Sequence, residues 1–511
     1  MLSLIFLLAA AIAGAWIFQA RKSNLPLPPG PRKLPIIGNL LSMPSKFEWE
    51  TYAKWAREYK SDIIHLGVAG TNLIILDRPE AARELLDKRS AIYSSRPHLT
   101  MVGDLMGWDT IFALMPYGDE WRAQRRLSHR VFQSDNAHFR YFAAQTKALH
   151  TFLKNLLAKS TEDSKRVDIM AEMKHMAGSA ILSLTYGIDT LPKNDPYISA
   201  ADNALDAFCI AARPGAFLVD AIPVLKYLPE WFPGSDFKRT AKEWRGLLRR
   251  MLELPFETAK SDYHAGVPST SFVAYALDQI DESEDRKRQE ERIRSVAGTV
   301  YTGGVDSSLA LLSHFFHAML ASPDAQKKAQ EELHRVLGGA LPTLDDLESS
   351  RLPYMTALVK ECLRWRSVAP MGFPHIAAED DVYNGYTIPK GSIVLANLWS
   401  MMHDPIIYPN PERFIPERFL NSNGQLNSNI MSPEDIVFGF GRRICPARTL
   451  AFSSVWMITA STLAMFNISK AVDKNGRVIE PTYECKSTLA YMPVPFECSM
   501  QPHKGAATLL G

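Results

Sequence analysis

The chain opens with an uninterrupted apolar segment. Across Leu2–Phe18 no residue carries a charge, and Ser3 is the only clearly polar one. Its 17 residues reach the lower limit of about 17–25 for a helix that spans a bilayer. Because Arg21 and Lys22 follow, the positive-inside bias keeps the chain after them on the cytosolic side. Residues 1–20 are therefore predicted to be an N-terminal transmembrane helix that anchors the chain.

A cleaved signal peptide is the alternative for this segment, since Ala13-Gly14-Ala15 offers a small-residue cleavage site. Against it, no positive charge precedes the apolar run. Residues 21–46 are basic and proline-rich, with LPLPPGP at Leu25–Pro31. Because proline fixes φ and interrupts helices, this stretch is predicted to be a stiff, extended strut between the anchor and the body.

Two stretches of the body have the pattern of β-strands. Ser61–Leu76 predicts a hairpin, because β-branched residues lie on both sides of Ala69-Gly70. A second β-rich patch covers Asp381–Ile388 and Ser392–Leu398, which are joined at Pro389-Lys390-Gly391. These strands make up only a small part of the predicted fold.

Helical periodicity covers most of the remaining body. Pro79 begins a short helix over Glu80–Lys88, and a longer helical region runs from Pro116 to about Gln330. No internal repeat and no Gly/Ser-rich linker divides residues 47–511. The predicted fold class is mainly α with a smaller β-rich part, in a single large domain behind the transmembrane helix.

Charge and cysteine content exclude several classes of protein. Lys and Arg number 57 against 55 Asp and Glu, a net charge of +2. A protein that binds nucleic acid through bulk charge needs a basic surplus, so no nucleic-acid partner is expected. The five cysteines are too few and too scattered for a disulfide framework or a CxxC zinc site.

Cys445 differs from the other four cysteines in its surroundings, FGFGRRICPA at Phe438–Ala447. Two glycines let the backbone approach a ligand closely and point N–H groups at the sulfur. A helical pattern follows over Ala447–Ala464, so the helix dipole and the nearby arginines are expected to favour the thiolate. A tight turn before a core helix, with an incidental cysteine, is the alternative.

The order Phe-x-x-Gly-x-Arg-x-Cys in this segment resembles the haem-binding loop of the cytochrome P450 monooxygenases. The resemblance implies a heme b whose iron has the Cys445 thiolate as its axial ligand. It also implies that Phe438 packs near the haem face and that Arg443 pairs with a haem propionate. Ala447 stands where the family usually has glycine, a difference that concerns local packing more than ligation of iron.

A second family element is Glu-x-x-Arg, which is unspecific as a pattern. Five pairs match it: Glu80/Arg83, Glu291/Arg294, Glu332/Arg335, Glu348/Arg351 and Glu361/Arg364. Only the last lies in an apolar helix about 80 residues before Cys445, as in the family. Phe414–Phe419 resembles the family's Phe-x-Pro-x-Arg-Phe. The resemblance implies that Glu361, Arg364 and Arg418 form a structural network that holds the cysteine loop.

A helix predicted over about Arg288–Leu320 contains two adjacent glycines, Gly303 and Gly304. Each costs about 1 kcal/mol relative to alanine, so the backbone there is expected to be locally opened, closely approached, or part of a packing seam. The segment also resembles the family's oxygen-activation motif. That resemblance makes Asp306 the acid that relays protons and Ser307, in place of the usual threonine, the catalytic alcohol.

Three further residues resemble haem contacts of the family. Trp121 and Arg125 are one helical turn apart and match its Trp-x-x-x-Arg pair at the haem propionates. His375 matches another propionate contact, with a polar residue at a strand start as the alternative. The remaining arginines of segment 121–130 form either a solvated face or a docking surface for an acidic redox partner.

These motifs occur in family order, and the chain is identified as a member of the cytochrome P450 superfamily. Their spacing resembles fungal membrane-bound members of secondary metabolism, in particular the O-methylsterigmatocystin oxidoreductase group. The resemblance implies a haem-dependent monooxygenase that inserts one atom of dioxygen into a hydrophobic small molecule, such as a terpenoid, steroid or aromatic, in secondary metabolism or xenobiotic oxidation. The expected pocket residues are Met101, Met106, Trp108, Phe112, Phe373 and Leu489.

Electrons are expected from NADPH through NADPH–cytochrome P450 reductase, because the chain has no Gly-x-Gly-x-x-Gly loop of its own. The predicted location is the endoplasmic reticulum membrane, crossed once, with the catalytic domain on the cytosolic side. One alternative is a reductase-independent haem-thiolate isomerase or dehydratase, against which Asp306 and Ser307 count. The other is a catalytically silent haem-binding membrane protein.

Overall fold

A computed structural model describes residues 25–132, 137–160, 166–213, 215–487 and 490–510, with the backbone alone for 137–140 and 487. The predicted anchor, residues 1–20, and the beginning of the strut lie outside these ranges, as does Leu489. Within them, no helix combines the length and the apolar character needed to cross a bilayer. The transmembrane helix therefore stays a prediction from the sequence.

The described residues are mainly helical with small sheets, which confirms the predicted fold class. The α-helices are α1 Glu48–Tyr59, α2 Pro79–Ala82, α3 Ser90–Tyr93, α4 Asp119–Phe132, α5 Ala137–Ser160, α6 Ile169–Tyr186, α7 Pro196–Ala211, α8 Leu218–Ala221, α9 Asp236–His264, α10 Phe272–Asp278, α11 Arg286–Ala321, α12 Pro323–Leu337, α13 Leu344–Glu348, α14 Pro353–Trp365, α15 Leu398–Met402, α16 Glu434–Val437 and α17 Arg448–Met465. The strands are β1 Ile63–Val68, β2 Thr71–Leu76, β3 Val167–Asp168, β4 His375–Ile376, β5 Asp381–Tyr383, β6 Tyr386–Ile388, β7 Ile393–Ala396, β8 Phe466–Lys470, β9 Cys485–Ser487, β10 Tyr491–Pro493 and β11 Glu497–Pro502.

The described chain divides into two compact units. The β-rich unit comprises residues 25–95 and 371–400, and its main sheet has the strand order β1-β2-β7-β4. β1 and β2 form the predicted hairpin, which turns at Ala69-Gly70, where both residues have positive φ. β7 runs parallel to β2 and antiparallel to β4.

The second β-rich patch differs from its prediction. Asp381–Ile388 forms a hairpin of its own, β5 and β6, which turns at Asn384-Gly385 with φ of +47° and +79°. β7 pairs with β2 and β4 instead of continuing this hairpin. Asn-Gly is the typical signal of a two-residue hairpin turn, because both of its residues tolerate positive φ. The prediction placed the only turn five residues later, at Pro389-Lys390-Gly391.

The described part of the strut pairs with this unit through its backbone. It is not extended throughout as predicted, because the chain turns between Leu34 and Gly38 and forms a 3-10 helix at Leu40–Ser42. The Pro29 carbonyl accepts the His65 N–H at 2.9 Å, and the Pro26 carbonyl accepts the Thr387 N–H at 2.8 Å. A Cβ at Gly30 would lie 2.1 Å from the His65 carbonyl oxygen. The close approach of the two backbones therefore requires glycine at position 30.

The helical unit comprises residues 96–370 and 401–510 of the described chain. Its longest helix, α11, matches the predicted helix and contacts α4, α6, α9, α14 and α17. Along α11, Ile293–Val305 contributes to one apolar cluster and Leu309–Leu320 to another. Asp306 and Ser307 therefore lie on α11 between the residues that it gives to the two clusters.

Candidate active site

The cysteine loop connects α16 to α17 and is shaped by two glycines. Gly439 has φ of +77° and Gly441 φ of +56°, values that only glycine adopts readily. The Cys445 N–H donates to the Phe438 carbonyl at 2.8 Å, which closes the loop. Ala447 has φ of −99° and ψ of 17°, so the alanine that replaces the family's usual glycine is accommodated without backbone strain.

The surroundings of the Cys445 thiol act on its pKa in opposite directions. Burial raises the pKa, whereas the Ala447 backbone N–H and the charges of Arg125 and Arg448 lower it, and the net pKa is raised. The two arginines that lower the pKa are Arg125 and Arg448, and the loop arginines Arg442 and Arg443 are not among its causes. A metal cation at the sulfur supplies the further positive charge that deprotonates a coordinating thiol.

Three arginine side chains converge behind the loop. Arg125 Nη1 donates to the Ile444 carbonyl at 2.7 Å, and Arg443 Nη2 donates to the Met115 carbonyl at 2.7 Å. Burial, together with the neighbouring charges of Arg96 and Arg125, lowers the pKa of Arg443 to about 8. Burial alone lowers the pKa of Arg96 to about 10. Like charges held together away from water favour the binding of an anion among them.

Trp121 places a hydrogen-bond donor beside these charges. Its indole lies under the Arg443 guanidinium, 4.3 Å from the ring centroid, and stacks on Phe112 at 5.6 Å. Among the described residues its buried Nε1–H has no hydrogen-bond partner. An unsatisfied buried donor is uncommon and indicates a missing acceptor. The structure thus brings Trp121, Arg125, Arg443 and Cys445 together, as their family roles require.

These residues fit an iron porphyrin with two carboxylates. The thiol of Cys445 is a suitable iron ligand, the three guanidiniums suit the carboxylates, and the Trp121 N–H offers one more donor. Arg96 was missed by the sequence analysis as a member of this set. Nothing in its local sequence distinguishes it, because its role depends on a loop that folds back beside Arg443.

Replacing Trp121 by phenylalanine tests this placement. Phenylalanine keeps a six-membered aromatic ring but lacks the five-membered ring that carries the orphan N–H, so this buried position also loses some packing. The free energy of unfolding of the haem-free protein is therefore measured beside haem binding. Haem binding is expected to weaken by about 10- to 100-fold, because a hydrogen bond to a charged group contributes about 1.5–3 kcal/mol. The measurement is the rate of haem transfer to an excess of an acceptor protein.

Trp365→Phe is the matched control, because its Nε1–H already donates to the Glu412 carbonyl at 2.9 Å. Haem transfer from this variant should match the unaltered protein. Equal rates from the Trp121 and Trp365 variants would contradict the placement.

The paired glycines of α11 have different surroundings. No atom lies within 4 Å of a Cβ built at Gly303, whereas a Cβ at Gly304 would lie 2.7 Å from Ile181 Cδ1. Ser307 Oγ donates to the Gly303 carbonyl at 2.6 Å, and both residues are exposed. The helix is continuous here and shows no local opening. Of the expectations from the sequence, the structure agrees with a close approach, which occurs at Gly304.

Asp306, the neighbour of Ser307 on α11, is half-buried. Burial raises its pKa, the charge of Lys174 lowers it, and Asp202 and Asp206 raise it further. Lys174 itself pairs with Asp202 at 2.9 Å between α6 and α7. The carboxyl group of Asp306 is therefore placed beside charged groups, and it is more easily protonated than an exposed aspartate.

The predicted structural network is assembled as one buried cluster. Arg364 donates to both carboxylate oxygens of Glu361, at 2.7 and 2.8 Å, and Arg418 Nε donates to Glu361 Oε2 at 3.1 Å. The Ile415 N–H also donates to Glu361, at 2.8 Å. Glu361 and Arg364 are 0% exposed at their side chains. Arg413 belongs to Pro411-Glu412-Arg413-Phe414, which nearly repeats the motif, and it contributes only its carbonyl, which accepts from Arg364.

His375 lies in the β-rich unit at the start of β4. It is buried, and its Nδ1 is 2.6 Å from the Tyr93 carbonyl. This contact fits the description of a polar residue at a strand start, and the haem contact of His375 stays a prediction.

Comparison with known proteins agrees with this site. The family profile "Cytochrome P450" matches residues 28–495. Cytochrome P450 monooxygenase 98 of Postia placenta is 46% identical over 494 residues, 96% of this chain and 93% of that protein. Cytochrome P450 monooxygenase ple1 of Rhodocybe pseudopiperita is 45% identical, over 96% of this chain and 92% of that protein. Tryptamine 4-monooxygenase of Psilocybe cyanescens is 38% identical, over 98% of each. The chain belongs to the cytochrome P450 family as a monooxygenase of the fungal secondary-metabolism type, with a haem whose iron has an axial cysteine thiolate.

Proposed function

We propose that this monooxygenase inserts one atom of dioxygen into a hydrophobic small molecule, with Cys445 as its iron ligand. The observation that carries the proposal is the convergence of Cys445 with the buried arginines and the orphan N–H of Trp121. When bound, the haem supplies the electron transfer and the cleavage of the O–O bond, which thiolate donation favours. Trp121, Arg125 and Arg443 hold its propionates and thereby fix its orientation.

Asp306 and Ser307 handle protons on α11. The Asp306 carboxyl group, with its raised pKa, takes up a proton beside the Lys174–Asp202 pair and passes it on through water. The Ser307 hydroxyl, which donates to the Gly303 carbonyl at 2.6 Å, turns to hold that water. General acid–base catalysis of this kind contributes about 10²–10⁴-fold to rate.

The apolar region of the helical unit supports a hydrophobic substrate. Met101, Met106 and Trp108 are buried in one apolar cluster, and Trp108 packs on Phe208 with ring centroids 4.5 Å apart. Terpenoids, steroids and aromatic compounds bury enough apolar surface to bind such residues. The name of the related tryptamine 4-monooxygenase adds an aromatic amine to the compounds that merit testing.

The decisive experiment is turnover of the full-length haem protein with NADPH, reductase and a panel of apolar substrates that includes tryptamine. Oxygenated product that depends on both NADPH and reductase supports the proposal. Conversion of a peroxide without reductase would favour an isomerase or dehydratase. Haem binding without turnover of any panel member, and with no substrate-induced spectral shift, would indicate a silent haem protein.

Replacing Ser307 by alanine is expected to uncouple oxygen consumption from product formation. The hydroxyl group can both donate a hydrogen bond to water at this turn and accept one from it, and alanine can do neither. The amount of hydrogen peroxide released per NADPH should therefore rise, and the amount of product per NADPH should fall. Ser313→Ala is the matched control, since it removes the same kind of bond, to the Leu309 carbonyl at 2.6 Å, from a buried part of α11. Unchanged coupling in Ser307→Ala would contradict the role.

We infer that the exposed arginines beside the cysteine loop receive the reductase. Arg122, Arg126 and Arg130 of α4 are exposed together with Arg442, and Arg122 and Arg442 both lie against the Tyr117 ring. These four arginines, here called the basic surface, suit an acidic flavoprotein domain, because complementary charge accelerates association.

Reversal of charge on the basic surface is expected to slow reduction of the haem. Arg126→Glu should lower the rate of reduction by NADPH and reductase, with a weaker dependence on salt, because long-range attraction raises association rates at low ionic strength. Arg250→Glu on α9, also exposed, is the control and should be reduced normally. Equal rates for both variants in stopped-flow measurements would contradict this docking surface.

We also propose that the chain is held at the endoplasmic reticulum membrane by residues 1–20, with the catalytic domain on the cytosolic side. The apolar segment before Arg21 and Lys22 supports this. So do the exposed apolar side chains Leu218, Tyr227 and Trp231 of the helical unit, since exposed apolar groups favour a membrane interface. Retention in the membrane fraction after an alkaline wash, with the domain open to added protease, is the expected result.

A further inference from the structure

A small cavity lies between four helices of the helical unit, beside the turn that carries Ser307. Its volume is about 50 Å³. The side chains that line it come from α5, α6, α11 and α17: Phe142, Gln145, Thr146, Ala148, Leu149, Met176, Ala177, Ala180, Ile181, Leu184, Ser308, Leu312, Ser454, Met457 and Ile458. Most of them are apolar.

The polar side chains that line the cavity are those of Gln145, Thr146, Ser308 and Ser454. Gln145 Nε2 donates to Ser454 Oγ at 2.5 Å, and Ser454 donates in turn to the Leu450 carbonyl at 2.6 Å. Two of its polar side chains are thus occupied with protein partners. A buried water needs two to four polar partners, whereas apolar cavities stay dry and bind apolar molecules such as xenon. A small apolar molecule therefore suits this space better than water.

The volume restricts the occupant further. Sites for drug-sized ligands occupy about 300–1,000 Å³, so the organic substrate does not fit a space of about 50 Å³. Room for one water corresponds to about 10–15 Å³ on this scale. The cavity thus has space for one diatomic molecule or a single xenon atom with some freedom of movement.

Its position connects the cavity to the oxygen chemistry. Ser308, next to Ser307 on α11, forms part of the wall. Ile181 forms another part, and its Cδ1 is the nearest atom to a Cβ built at Gly304, at 2.7 Å. Ile181 therefore contacts both the cavity and the position of Gly304 on α11. Rotation of an unhindered side chain takes picoseconds to nanoseconds, so a rotamer change of Ile181 would alter this boundary rapidly.

We propose that this cavity is a binding site for dioxygen and that Ile181 gates its passage toward Gly304 on α11. The inference rests on the proposed function for the destination of the dioxygen. Dioxygen is more soluble in apolar liquids than in water, so an apolar space raises its local concentration. No covalent step takes place in the cavity, which stores a reactant that the site beside it consumes.

Xenon is the probe for this site, because it binds apolar cavities and is visible by its scattering and by ¹²⁹Xe resonance. Crystals of the holoenzyme under xenon pressure are expected to show one xenon atom among the lining residues. Ala180→Leu fills the space, so it should abolish the xenon site and raise KM for dioxygen. Ala171→Leu makes the same change at an exposed position of the same helix and should do neither.

Ile181→Ala is the second variant and should lower KM for dioxygen, because the separating side chain is shortened. Ordered water that xenon does not displace, or xenon binding with KM for dioxygen unaltered in both cavity variants, would overturn the inference. A reduced carbon-monoxide spectrum without the thiolate signature, together with xenon in the cavity, would overturn the proposed iron ligand alone. A reduced carbon-monoxide spectrum with the thiolate signature, together with no xenon in the cavity, would overturn the dioxygen site alone.

Discussion

Cys445→Ala is expected to abolish monooxygenase turnover and to remove the red-shifted Soret band of the reduced carbon-monoxide complex. The shift requires thiolate ligation, and within the cysteine loop Cys445 is the only sulfur-bearing side chain. Alanine keeps the backbone of the loop, including the N–H that donates to the Phe438 carbonyl. Loss of the band should therefore occur in a folded protein, which circular dichroism checks.

Cys209→Ala is the control for this substitution. Cys209 is a free, half-buried cysteine on α7, away from the loop in sequence and in its described contacts. Its variant should keep the shifted band. Turnover is not compared for it, because the charge of Asp306 acts on the Cys209 thiol. Persistence of the band in Cys445→Ala would reject Cys445 as the ligand and require a search among the other four cysteines.

Glu361→Ala is expected to lower the stability of the protein strongly. Removing one member of a buried ion pair leaves its partners uncompensated, which costs about 3–5 kcal/mol. Here two guanidiniums, of Arg364 and Arg418, lose their common carboxylate. The free energy of unfolding in urea should fall by about that amount, and the purified protein should contain little haem.

Glu361→Gln keeps the shape of the side chain and two hydrogen-bonding groups, so it should lose less stability than Glu361→Ala. Its free energy of unfolding and haem content can therefore be measured even if the alanine variant does not fold. Glu331→Ala is the control: its carboxylate is exposed and 3.9 Å from Lys327 Nζ, and such pairs contribute about 0–1 kcal/mol. Normal haem content in Glu361→Ala would contradict the proposed role of the network.

The network shows how far a local pattern predicts a site. Glu332/Arg335 matches Glu-x-x-Arg as well as Glu361/Arg364 does, and Glu332 is also buried. Yet its carboxylate accepts the N–H groups of Tyr354 and Met355, at 3.0 and 2.9 Å, at the beginning of α14. The Glu-x-x-Arg pattern is the same in both pairs, and their partners are brought by tertiary folding, so the sequence context and the family resemblance, not the pattern, selected Glu361.

Burial and long-range contacts account for what the sequence did not predict. Ala447 and Arg448 lie beside Cys445 in sequence, but the burial of its thiol and the approach of Arg125 are properties of the packed fold. Arg96 joins Arg443 only through a folded loop. Helix α11 and the β1–β2 hairpin, in contrast, follow from local periodicity and turn residues, and both were predicted. Asn384-Gly385 was equally local and was overlooked.

The convergence of Arg96, Arg125 and Arg443 also bears on how the enzyme matures in a cell. Before its cofactor arrives, the newly made chain holds these like charges close together in a buried place. A ligand that binds only the native state adds about 2.7 kcal/mol of stability at one hundred times its Kd. The abundance of mature enzyme is therefore coupled to the supply of haem during synthesis, and chains made under haem limitation become substrates for quality-control proteases.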